Sequence, residues 1–268
     1  MATWSTGSVT ANGICIAYHR TGGSGPPLVL AHGITDHGLC WGPVARALEG
    51  DYDVIMVDAR GHGETEAPEH GYTWDILRED LAAFIREMGL ERPHLMGHSM
   101  GAETAAQVAA HYPELVRRIV LEDPPWREGA ESEAERTASG ERFRASILAR
   151  CGRTQEELIA RCRAESPTWP EDELAPWAEA KIMVSPRVAE IAASHHAPWR
   201  ETARRIRVPA LLVTGEPGKA IVTPEVAREA VGLMAQGEEL HVPGVGHCIH
   251  REQFDAVIEG VRRFLGRT

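Results

Sequence analysis

The stretch His94-Leu95-Met96-Gly97-His98-Ser99-Met100-Gly101-Ala102 constrains this chain more than any other. An apolar run ends at Met96 and a helix-compatible run begins after Gly101, so Ser99 falls in a strand-to-helix turn between two glycines. In a G-x-S-x-G turn the serine is forced into a strained backbone conformation with its hydroxyl pointing out of the sheet. Only glycine two residues to either side leaves room for so tight a reversal. The helix that follows offers free N–H groups and the positive end of its dipole to negative charge forming near Ser99. Ser99 is therefore the candidate nucleophile; the competing reading is a short pattern that arose by chance in an ordinary turn.

The rest of the chain reads as strands alternating with helices. Ala11-Asn12-Gly13 is a turn before an alternating strand over residues 13–20, and Leu28 to Ala31 is continuously apolar, as a strand buried on both faces should be. A second such strand runs from Asp53 to Asp58. Helices are predicted from Trp41 to Glu49, from Thr73 to Met88, after Gly101, from Pro224 with Thr223 as its cap, and from Arg251 to Leu265. This alternation implies a mainly parallel sheet with helices on both faces. Ligands of such sheets bind beyond the strand carboxyl ends, where His32, Ser99 and Asp123 fall.

Composition limits the partners. A formal net charge of −11 opposes binding to nucleic acid or to an anionic membrane and leaves a small molecule as the expected partner; a surface that is simply soluble explains the charge equally well. The first residues lack a basic start followed by an apolar core, and no apolar run approaches membrane-spanning length, so a cytoplasmic protein is expected. The 5 cysteines lack metal-like spacing and read as reduced thiols. No phosphate-cradling glycine loop or zinc-like spacing is present, and no cofactor or metal is expected.

With these pieces in place, the chain resembles the α/β-hydrolase fold family, in its esterase-like and haloperoxidase-like branch. The resemblance is carried by His32-Gly33 after the third strand, Asp58-Ala59-Arg60-Gly61-His62-Gly63 after the fourth, Gly97-His98-Ser99-Met100-Gly101, and Gly244-Val245-Gly246-His247. It implies a three-layer α/β sandwich with a mostly parallel sheet of about eight strands. Residues 1–124 and 201–268 would form the core, and residues 125–200 a helical cap inserted after strand 6. It also implies His247 as the base, with His250 its nearest rival among the 13 histidines. His98 is directed elsewhere by the turn, and His32, Arg60 and His62 read as scaffold.

The third member of the expected triad is less direct. Most of the family places an acid after the seventh strand, here Ala210 to Thr214, in a Gly-x-x-Asp pattern. This chain reads Gly215-Glu216-Pro217-Gly218, with glycine in the acid's place. A minority, including some lactone hydrolases, places the acid after the sixth strand, which here ends Leu121-Glu122-Asp123-Pro124. Asp123, 24 residues beyond Ser99, has the spacing of that minority and is the expected acid; Glu216 and Glu122 are the alternatives. Its role would be to hold the imidazole tautomer and stabilise the imidazolium. The same resemblance places the oxyanion hole at the backbone N–H groups of Met100 and Ile34.

Gly33, Trp126 and Met183 are the expected substrate contacts. Four of the 7 tryptophans lie between residues 125 and 200, where they either line an apolar pocket or pack the insertion onto the core. The expected function is a serine hydrolase cleaving a small-molecule ester or lactone through an acyl-enzyme, as a monomer or homodimer. The alternatives are a cofactor-free perhydrolase, a carbon–carbon bond hydrolase, or a small-molecule-binding protein of low turnover on the same fold.

Overall fold

The computed structural model describes residues 4–129 and 132–267. Its eight strands are β1 (Ser5–Ala11), β2 (Ile14–Arg20), β3 (Pro27–Ala31), β4 (Asp53–Val57), β5 (His94–His98), β6 (Ile119–Glu122), β7 (Ala210–Thr214) and β8 (Gly237–His241). They form one sheet in the order β1-β2-β4-β3-β5-β6-β7-β8. The pairs β1/β2 and β2/β4 are antiparallel and the remainder parallel. The polar strand β1 is not foreseen in the sequence: at this sheet edge the inward face is only Gly7, Val9 and Ala11, too small and too few to give an apolar pattern.

The helices are α1 (Gly42–Leu48), α2 (Trp74–Glu87), α3 (Met100–His111), α4 (Glu133–Leu148), α5 (Gln155–Glu165), α6 (Glu171–Met183), α7 (Ala189–Ala193), α8 (Trp199–Arg205), α9 (Pro224–Leu233), α10 (Ile249–Glu252) and α11 (Phe254–Leu265). Successive strand residues point to opposite sides, which is why the central strands read as unbroken apolar runs. Val29, Ile55, Leu95 and Leu121 pack against α2, α3, α8 and α9. Leu28, Met56, Met96 and Val120 pack on the other face against α1 and α11. The single helix predicted to start at Arg251 is two, because Gln253 leaves the helical region at φ −137° and ψ 64°.

Helices α4 to α7 fill the insertion between β6 and β7. Phe143 and Ile147 of α4 and Ala189 and Ile191 of α7 meet Met100, Ile34 and Tyr72 in one apolar cluster, so the insertion packs over the turn that carries Ser99. Helix α8 does not continue it: Trp199 and Ala203 are buried with α3 in the main core.

Candidate active site

The Ser99 turn has the geometry that its two glycines require. A Cβ on Gly101 would lie 2.0 Å from the carbonyl oxygen of Ala31, and one on Gly97 would lie 2.2 Å from that of Gly101. Both positions are closed to any side chain. Ser99 itself sits at φ 53° and ψ −113°. A non-glycine residue held there carries about 1–3 kcal/mol of strain and persists only where its surroundings fix it. Its N–H donates to the Glu122 carbonyl at 2.9 Å, and its carbonyl accepts from Glu103 N at 3.1 Å, which pins both sides of the turn.

Asp123 follows β6, also at positive φ, 42°. Its fully buried carboxylate accepts three things: the backbone N–H of Ile221 at 2.9 Å, that of Val222 at 2.9 Å, and Nδ1 of His247 at 2.6 Å. The loop after β7 thus supplies donors to an acid on the neighbouring strand. The two other acids are engaged elsewhere. Glu216 accepts from Gly244 N at 2.8 Å, and Glu122 accepts from His250, both Nδ1 at 2.8 Å and the backbone N–H at 3.0 Å. Burial raises and the His250 partner lowers the Glu122 pKa, with a net value of about 2.

His247 keeps 34% of its side chain exposed, while His98 is buried against it with ring centroids 4.6 Å apart. Burial lowers the His98 pKa to about 3, so this ring is neutral, and its Nε2 bonds the His247 carbonyl at 2.9 Å. No hydrogen bond joins the Ser99 hydroxyl to the His247 ring among the described residues. Such contacts are often long before substrate binds.

The loop after β3 lies directly on this turn: a Cβ on Gly33 would fall 2.7 Å from His98 Nδ1 and 3.5 Å from Ser99 Cβ. Ala59 N–H donates to His32 Nε2 at 3.0 Å, which leaves Nδ1–H to donate to Gly33 O at 2.8 Å. Thr35 N–H donates to His62 Nε2 at 3.2 Å, and His62 Nδ1–H in turn serves Arg60 O at 2.9 Å. Burial lowers the pKa of both imidazoles, and they act as neutral scaffold. Among the described residues neither the Ile34 nor the Met100 N–H donates to another backbone group.

Two expected substrate contacts differ in their surroundings. Trp126 is fully buried, stacked on Trp199 at 5.6 Å, with its indole N–H donating to Glu103 at 2.5 Å. It packs the core, the other role open to the tryptophans of this region. Met183 closes α6 with 36% of its surface exposed, outside the cluster that covers Met100. Sequence analysis does not find Lys181, Arg251 and Glu173, which are all buried: Lys181 and Arg251 pair with Asp36, and Glu173 with Arg251. Charged residues on surface helices give no such signal until the partners, 145 and 215 residues away, are brought together.

Residues 26–253 match the family described as alpha/beta hydrolase fold. The chain is 31% identical to N-formylmaleamate deformylase of Pseudomonas putida, over 97% of this chain and 96% of the relative. It is 30% identical to 2-(acetamidomethylene)succinate hydrolase of Mesorhizobium japonicum, over 92% and 90% respectively. A crystal structure of E-2-(acetamidomethylene)succinate hydrolase superposes with a TM-score of 0.83 at 24% identity, covering 99% of this chain and all of that one, a likeness of fold.

Proposed function

The chain belongs to the α/β-hydrolase fold family, and from that premise we propose that it is a serine hydrolase cleaving a small-molecule carboxylic ester or lactone through Ser99, His247 and Asp123. One observation carries the reading. The carboxylate of Asp123 meets His247 Nδ1 at 2.6 Å, and the same histidine packs on the residue that precedes Ser99. With Nδ1–H donated to Asp123, Nε2 is left as the base. The Ser99 oxygen attacks the substrate carbonyl carbon while its proton passes to Nε2. The negative charge that moves onto the carbonyl oxygen is met by the N–H groups of Ile34 and Met100. Collapse of this intermediate expels the leaving alkoxide, which takes the proton from the imidazolium. Water then repeats the attack on the acyl-enzyme and frees Ser99.

A second reading, hydrolysis of an N-acyl bond in an acidic substrate, is favoured by the relatives: both names carry an amide and a carboxylic acid. In this chain Arg150 fits a substrate carboxylate. It lies three residues past Ile147, which packs in the cluster with Met100 and Ile34, and its half-buried guanidinium makes no hydrogen bond or ion pair among the described residues. Burial lowers its pKa, the mark of a cation short of a counter-charge.

The reading is tested by Ser99→Ala. Turnover of p-nitrophenyl acetate should fall by at least about a thousandfold and labelling by a fluorophosphonate should vanish; a variant that keeps turning the ester over removes Ser99 from the chemistry. Wild-type protein that neither labels nor hydrolyses esters, lactones or N-acyl compounds would instead be a binding protein. Matched neutral and carboxylate-bearing substrates of each bond type then separate the two readings, and Arg150→Met should erase any preference for the acid.

A further inference from the structure

Four buried charges close a ring around the loop that follows β3. Lys181 Nζ donates to Asp36 Oδ1 at 2.6 Å and to the Thr35 carbonyl at 2.8 Å. Arg251 Nη2 donates to Asp36 Oδ2 at 3.0 Å, and its Nε to Glu173 Oε2 at 3.1 Å. Glu173 and Lys181 both belong to α6, so the ring leaves the insertion, crosses the loop and α10, and returns to the insertion. All four side chains are almost wholly buried.

Stability does not account for such a ring. Removing four charges from water costs several kcal/mol per ion, and well-packed apolar residues in their place are often as stable or more so. What the ring holds is more informative. Thr35 is a β-branched residue at φ 70°, a conformation that it does not adopt without restraint. Its N–H is fixed by His62 and its carbonyl by Lys181; that N–H shares a peptide with the Ile34 carbonyl, and the Ile34 N–H lies one peptide unit before it. Arg251 lies four residues past His247, so the ring also ties this loop to the segment carrying the base.

We propose that Lys181 and Asp36 are positioning residues, which hold the strained Thr35 conformation and thereby aim the Ile34 N–H at the oxyanion formed above Ser99. The helical insertion is then part of the chemistry: α6 braces the oxyanion hole from outside. This rests on the serine-hydrolase reading. An ångström of misplacement at such a donor costs up to about a hundredfold in rate.

The test is steady-state hydrolysis of p-nitrophenyl acetate by Lys181→Met and by the milder Asp36→Asn, with inhibition by a trifluoromethyl ketone that forms a tetrahedral adduct with serine. Each variant should lose about ten- to a hundredfold in kcat with KM within about twofold, and the ketone should weaken in proportion. Lys181→Arg should recover most of the loss, and Thr35→Gly, which accepts positive φ freely, should restore part of the rate to Lys181→Met. A purely structural role would lower the melting temperature and leave kcat per folded molecule and ketone affinity unchanged, and that result overturns the proposal. If Lys181→Met does not fold, Asp36→Asn carries the same decision. An active Ser99→Ala sinks the serine-hydrolase reading itself, whereas an inactive Ser99→Ala beside a fully active Asp36→Asn sinks the ring alone.

Discussion

Asp123 and Glu122 are consecutive residues at the end of β6, and each holds a histidine of the segment after β8, three positions apart. The pairs differ in what surrounds them. Glu122 and His250 are closed off: the imidazole is 2% exposed, stacked on Trp41 at 4.6 Å, and both its Nδ1 and its backbone N–H are committed to the acid. Asp123 is equally buried, but the positive φ at this residue turns its carboxylate toward a histidine that is one-third exposed. Acid and imidazole in contact therefore do not identify a catalytic pair. The pair suited to catalysis is the one whose second ring nitrogen can reach a substrate, with backbone donors holding the acid still.

The sharpest way to break this comparison is to neutralise each acid in turn. Asp123→Asn should lower kcat by roughly 10⁴-fold, because the amide no longer imposes the Nδ1–H tautomer, while the fold stays intact. Full activity in that variant would transfer the role elsewhere. Glu122→Gln should do the opposite, leaving kcat within about threefold while destabilising the protein by about 1.5–3 kcal/mol, the worth of hydrogen bonds to a buried charge. Urea unfolding and ester turnover on the same preparations read both. A Glu122→Gln enzyme that lost its rate but kept its stability would reverse the assignment.

The sequence made the elbow legible because sterics leave so few options: glycines 97 and 101 stand where no Cβ fits, and that is visible in one dimension. The central strands were legible for a similar reason, since both faces are covered and every position is apolar. His247 is the expected base from its loop, as the family resemblance implies. Asp123 is preferred to Glu122 in the sequence on its spacing from Ser99 alone; its contact with His247 depends on a backbone reversal at one residue and on N–H groups of Ile221 and Val222, which leave no sequence signal. Trp126 shows the limit in the other direction: an aromatic in an insertion reads as a pocket wall until its stacking on Trp199 and its bond to Glu103 are known. Asp36 is a loop acid whose two cations lie on α6 and α10, and nothing local in the sequence announces them.

His98 sharpens the comparison from between the pairs, its ring 4.6 Å from that of His247 and 5.5 Å from that of His250. Burial lowers its pKa from 6.5 to about 3. Between those values the unfolded chain binds a proton that the folded one refuses, so stability is complete above pH 6.5 and is lost progressively as the pH falls toward 3. His37 and His94, each lowered to about 4 chiefly by burial, act in the same direction. His98→Gln keeps a donor for the His247 carbonyl and removes the titration. Going from pH 7 to about 5.5, the wild type should therefore lose about 1 kcal/mol more unfolding free energy than this variant. Parallel losses in urea titrations at the two pH values would show that the folded protein lets His98 take its proton. The middle imidazole would then place a cation between the two pairs in mild acid, and the distinction between a closed dyad and an open one would hold only near neutrality.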